Sequence, residues 1–280
     1  MRVFFLSDLH YDERTTYKSE SDSNLDTVVA KANDLGCDLL ICVGDIYHQA
    51  LQDWSNPEQV SQRTLKQTRD VLDTISAKLD NFNGQYGWYY VGGNHENPNY
   101  FLEDYFGYRY LFTKIGGVVF AILCSSDSQN YWWNYIGAQQ LKDLQNLLST
   151  YSSDPVIAAV HAPLKEYGQT ETPASIYGAH YRYWITRNGA DVEENYLATH
   201  SRCKVLLTNH IWPSSAGYTQ DSTTGIYHCY KRHTAINSTS PYFELKDQWY
   251  VDINPSTGEI TVYVWRFDYN DSQTVLSVTV

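Results

Sequence analysis

The chain has 280 residues, 42% of them hydrophobic and 19% charged, so it has the apolar material for a substantial buried core and is not disordered as a whole. Twenty lysines and arginines against 32 aspartates and glutamates give a net charge of −12, which argues against nonspecific binding to nucleic acid or anionic membranes. At about 150 residues per domain the length allows one or two, and with no internal repeat or Ser/Gly linker the expectation is a single domain over residues 1–280.

The elements follow in chain order. Residues 2–6 form an apolar strand interrupted by Ser7-Asp8, too early for a signal-peptide core, and no run approaches the roughly 20 apolar residues of a membrane helix. A cytoplasmic chain with no membrane partner is expected. A helix over 24–35 ends at Leu35-Gly36, and residues 39–43 are a continuous apolar run of strand length closed by Gly44-Asp45. A second helix spans 58–80, and a strand over 88–91 ends at Gly92-Gly93. This alternation implies right-handed parallel crossovers.

Beyond a short helix near 98–106, strands over 108–114 and 117–124 meet at Gly116-Gly117 as a hairpin, and a helix covers 137–150. Residues 156–160 and 204–208 are further buried strands, with an irregular, aromatic-rich insert over about 163–190 between them. A hairpin closes the chain over about 248–266. The five cysteines are odd in number, far apart and set mostly in apolar stretches, as buried thiols are.

Each putative buried strand is followed at once by side chains of metal-ligand type: Asp8-Leu9-His10, Gly44-Asp45, Gly93-Asn94-His95-Glu96, His161-Ala162-Pro163 and Asn209-His210. Loops at the carboxyl ends of parallel strands share one edge of a sheet, so these five groups are expected to converge. Taken singly, each has an ordinary structural explanation: Asp8 caps a turn, the glycine pairs make turns, and His161 and His210 are satisfied structural histidines. Together that explanation needs five coincidences. Carboxylate and amide oxygens with imidazoles suit Mn, Fe or Zn. Two such ions about 3.5–4 Å apart would clamp a phosphate and supply a hydroxide near neutral pH.

In this order the motifs resemble the calcineurin-like metallophosphoesterase superfamily, which includes purple acid phosphatases and repair nucleases, over about residues 1–212. The resemblance implies an α/β fold, a four-layer α/β/β/α sandwich of two mixed sheets flanked by helices. It implies two metal ions, Mn, Fe or Zn, the first held by Asp8, His10 and Asp45 and the second by Asp45, Asn94, His161 and His210. Asp45 would be the bridge, and His95 would contact phosphate and donate a proton to the leaving oxygen. The implied activity is hydrolysis of a phosphomonoester or phosphodiester, by attack of a metal-bound hydroxide, on a phosphorylated small molecule or nucleotide. The acidic surface argues against a duplex nucleic acid.

One motif departs from the family pattern. Where the family has G-H-x-H this chain has Asn209-His210-Ile211-Trp212, so the first metal position lacks an imidazole and should bind more weakly. That departure keeps a second reading open, a catalytically degenerate member retained as a binding or assembly module. His48, His200, His228 and His233 have no assigned role. The aromatic clusters at 131–133, 177–184 and 227–230 read as loop packing around the mouth, and Lys231-Arg232-His233 as solvated surface with a weaker reading as a phosphate contact.

Overall fold

The computed structural model describes residues 1–12, 18–47, 50–52, 60–96, 100–126, 134–165, 185–210, 216–231, 247–266 and 269–280. The described elements are β1 (Arg2–Leu6), α1 (Lys18–Asp34), β2 (Leu39–Val43), β3 (Ala50–Gln52), β4 (Val60–Gln62), α2 (Leu65–Leu79), β5 (Trp88–Val91), α3 (Tyr100–Phe106), β6 (Leu111–Ile115), β7 (Val118–Leu123), α4 (Ala138–Thr150), β8 (Val156–Val160), α5 (Gly189–Asn195), β9 (Cys203–Thr208), β10 (Gly217–Gln220), β11 (Tyr227–Tyr230), β12 (Gln248–Asn254), β13 (Glu259–Arg266) and β14 (Asp271–Thr279). Twelve of the strands form two six-stranded sheets, ordered β14-β13-β12-β1-β2-β5 and β10-β11-β9-β8-β7-β6, and β3 pairs with β4. Both large sheets are mixed. β1, β2 and β5 run parallel beside antiparallel β12, β13 and β14. β7, β8, β9 and β11 run parallel between antiparallel β6 and β10.

The strand period of two builds the layers. Val3 and Phe5 of β1, Leu39, Ile41 and Val43 of β2, and Phe120, Ile122, Ile157, Ala159, Val205 and Leu207 of the second sheet share one buried cluster between the sheets. The alternate residues face outward onto helices. Phe4, Leu6, Leu40 and Cys42 pack with Leu25, Val28 and Ala32 of α1 and Leu72 and Ile75 of α2. Val119, Ala121, Ala158 and Val160 pack with Leu144 and Leu148 of α4 and Val192 of α5. The result is the α/β/β/α sandwich, in which each large apolar side chain so buried contributes about 1.5–3 kcal/mol.

Several boundaries differ from the sequence reading. α1 begins at Lys18 rather than near 24, because its polar first turns carry no apolar periodicity. The reading of 58–80 as one helix is wrong at its start. Val60 belongs to β4, and α2 begins at Leu65 because Thr64 and Gln67 form a capping box, Thr64 Oγ1 accepting from the Gln67 amide and Gln67 Oε1 from the Thr64 amide. Residues 227–230, read as loop, are β11, parallel to β9. β10 and β14 carry too few apolar residues to stand out as strands in the sequence. The five cysteines are free and buried, and burial pushes the Cys37 and Cys203 thiols up to about 12. Residues 166–184, His48, the 131–133 cluster, Trp212, Arg232 and His233 lie outside the described residues. Among the described residues, no helix is long and apolar enough to cross a membrane.

Candidate metal centre

The topology decides which motifs meet. β1, β2 and β5 are parallel neighbours, so the segments carrying Asp8 and His10, Asp45, and Asn94 and His95 leave the same edge of one sheet. β8 and β9 are parallel neighbours in the other sheet and deliver His161 and His210. Main-chain bonds lace these ends together: Asp8 N–H donates to the Gly44 carbonyl at 3.1 Å, His10 to Asp45 at 2.9 Å, Gly44 to Val91 at 2.8 Å and Asn209 to His161 at 3.1 Å.

The lacing holds a strained backbone. Asp8, His10, Asp45 and His210 have φ of 56°, 53°, 55° and 64°, four of the five non-glycine residues in the left-handed region among the described residues. Each such conformation costs about 1–2 kcal/mol, and strain of this kind collects where side chains must be aimed rather than packed. Glycine makes the close approach possible. A Cβ on Gly93 would lie 2.5 Å from Asp45 Oδ1, and one on Gly44, itself at φ 79°, would lie 2.6 Å from the His161 ring.

Asp45 is the hub. Its side chain is buried, with Oδ2 2.9 Å from His161 Nε2, 3.6 Å from His95 Nε2 and 3.8 Å from His210 Nδ1, while Oδ1 accepts the His95 amide at 2.9 Å. His161 Nε2 and His210 Nδ1 are 3.0 Å apart, and the His10 and His95 rings meet edge to face at 4.8 Å. Two sets of ligand-type atoms therefore share Asp45: His10, Asp45 and His95, and Asp45, His161 and His210, each within 4.8 Å of one another. His161 Nδ1 lies 3.2 Å from the Val43 carbonyl, which can only accept, so that nitrogen carries the proton and Nε2 is left for a ligand. Asn94 is 5% exposed, and its Oδ1 is buried with no hydrogen-bond partner among the described residues. A buried acceptor without a donor is costly unless something else, such as a cation, satisfies it. The residues present therefore fit a metal ion.

Charge in the site is unevenly placed. Burial works against a charged His161, but the Asp45 carboxylate, through its charge and hydrogen bond, prevails and lifts the imidazole to about 9. In the metal-free chain the two are an ion pair. Burial holds His95 down to about 4, and the neighbouring His210 and His161 add to this, so its 3.6 Å contact with Asp45 is not an ion pair at neutral pH. His210 is lowered by burial and by His161. Asp45 itself is held far below the carboxylate range because His161 and His95 outweigh its desolvation.

Asp8, predicted at the first position, belongs to neither set of ligand-type atoms; its Oδ2 accepts from Ser7 Oγ at 2.8 Å and lies 3.4 Å from Lys231 Nζ. Lys231, read as solvated surface, is 4% exposed. The sequence reading also gave Glu96 no role. Fully buried, it accepts from the amides of Asp45 and Gly93 at 2.9 and 2.8 Å through Oε2, and from those of Ile46 and Tyr47 and the Tyr90 hydroxyl through Oε1. It ties the Asp45 turn to the Asn94 turn. Its place in Gly93-Asn94-His95-Glu96 was the available signal. His228 pairs with buried Glu193 at 3.1 Å and His200 Nε2 lies 3.0 Å from the Tyr151 carbonyl, both structural contacts.

Comparison with known proteins bears on the family and the fold. The sequence profile of the calcineurin-like phosphoesterase family matches residues 1–201, and a comparison with curated proteins returns no match. Among solved structures, the chain is similar to a dimetal phosphatase from Danio rerio at 14% identity and a TM-score of 0.64, with 98% of each chain covered. It is also similar to PhoD at 12% identity and a TM-score of 0.51, over 100% of this chain and 72% of that one. At such identities the likeness is one of fold. The matched profile ends before His210, which enters the centre on geometry. Its length over the chain and the sandwich beneath it are sufficient: the chain belongs to the calcineurin-like phosphoesterase family.

Proposed function

We propose that the chain is a metal-dependent hydrolase of phosphoric esters, acting on a phosphorylated small molecule or nucleotide at the Asp45-centred site. The observation that carries this reading is the convergence of Asp45, His161 and His210 from two sheets, together with a buried Asn94 oxygen that has no hydrogen-bond partner among the described residues. Asp45, Asn94, His161 and His210 would hold the ion. Bound there, a divalent ion would polarise a phosphoryl oxygen and lower the pKa of a water.

The chain's own residues do the rest. Asp45 sets the centre between the sheets, and the Val43 carbonyl fixes the His161 tautomer. His95, 15% exposed at its side chain, is the catalytic group on the substrate side. Its uncharged imidazole can donate one hydrogen bond to a phosphoryl oxygen. A phosphate anion beside it favours the charged form, which can pass a proton to the leaving oxygen.

The test is hydrolysis of p-nitrophenyl phosphate and bis(p-nitrophenyl) phosphate after chelation and Mn²⁺ add-back. Turnover should return with metal, fall more than about a hundredfold in Asp45→Asn, and fall by roughly 10²–10⁴ in His95→Ala with metal content retained. Firm metal binding with no hydrolysis of either ester would favour the binding-module reading instead.

A further inference from the structure

Lys231 is buried at the edge where the metal centre forms. It follows β11, one strand from the β9 end that carries Asn209 and His210, Tyr230 and Thr208 being register partners. Its Nζ lies 2.8 Å from the Asp247 carbonyl, 3.4 Å from Gln248 Oε1 and 3.4 Å from Asp8 Oδ2. Gln248 is itself fixed, accepting from the Ser7 amide at 2.9 Å and donating to the Ser7 carbonyl at 3.1 Å. The ammonium is therefore held by three oxygens on two segments, 247–248 and the turn after β1.

We infer that Lys231 stands in for the first cation: its ammonium neutralises Asp8, and the centre retains a single divalent ion in the Asp45, Asn94, His161 and His210 set. The inference rests on the metal-centre reading above. Two observations support it. Asp8 Oδ2 already serves Ser7 and Lys231, and Asp8 belongs to neither set of ligand-type atoms. An ion on Asp8 would also face the ammonium at short range in a buried setting, where like charges repel strongly. Lysine is a point charge without a ligating lone pair when protonated. With Asp8 it leaves that side of the site neutral and excludes an exchangeable ion.

The test is metal stoichiometry. The full chain is stripped with chelator, loaded with excess Mn²⁺, desalted, and its manganese counted by elemental mass spectrometry, with calorimetric titration as a second measure. One ion per wild-type chain and two per Lys231→Met chain are expected. Two ions in the wild type would overturn the inference and leave the metal-centre reading intact, whereas none would overturn both. A folded Lys231→Met that still holds one ion would also overturn it. If Lys231→Met fails to fold, Asp8→Asn decides: the single ion is kept if Asp8 is not its ligand, and its loss overturns the inference.

Discussion

His161 makes the sharpest statement at the scale of single residues. In the metal-free chain it is charged up to about pH 9 because Asp45 lies 2.9 Å away. A cation on Nε2 must displace that proton, whereas Asp45 is already ionised and His210 is lowered. The sign follows: below about pH 9 protons compete with the ion, so affinity rises with pH, by up to about tenfold per unit, and levels off near 9. Loading near neutral pH should release about one proton per ion, measured by calorimetry in buffers of different ionisation enthalpy. Release of none would mean that His161 is not a ligand. Residues of this kind were legible in the sequence because each follows a recognisable strand. Glu96 and Lys231 were not, since a charged side chain reads as solvated until the fold shows what encloses it.

Secondary-structure elements were legible in proportion to how completely they are buried. β2 and β8, buried at every position, stand out as apolar runs. β10 and β14 are short or largely exposed and carry polar side chains that resemble loop. The start of α2 was hidden for a different reason, since the Thr64 and Gln67 cap is a weaker signal than the apolar spacing that ran on through Val60. The turns after the strands are the elements that aim the ligands, and they depend on how closely two turns can approach. Gly93→Ala would place a Cβ 2.5 Å from Asp45 Oδ1 and 2.8 Å from the His161 ring. Overpacking at that contact should cost about 1–3 kcal/mol of stability. Metal affinity should fall about 10–100-fold as Asp45 moves. Thermal unfolding and metal titration of the variant read both, and wild-type affinity would show that the turn has slack the packing does not suggest.

Across the whole molecule, the centre lies where the two sheets meet. His10, Asp45 and Asn94 come from one sheet and His161 and His210 from the other, and the apolar layer between them fixes the distance across. Sequence pattern supplied the layers, because period two along the strands separates an inner cluster from two outer ones. It could not supply the order of strands, which brings β11 beside β9 and Lys231 beside Asp8. The net charge of −12 would be no obstacle to an anionic substrate at such a site, because a buried cation held there would dominate the local field. The most direct test of the account is the manganese retained, after loading and desalting, by the wild-type chain and by Asp45→Asn. The account predicts bound metal in the wild type and its loss in the variant, whose folding is checked by thermal unfolding. A wild-type chain that retains no manganese, or a folded Asp45→Asn that retains as much as the wild type, would contradict it.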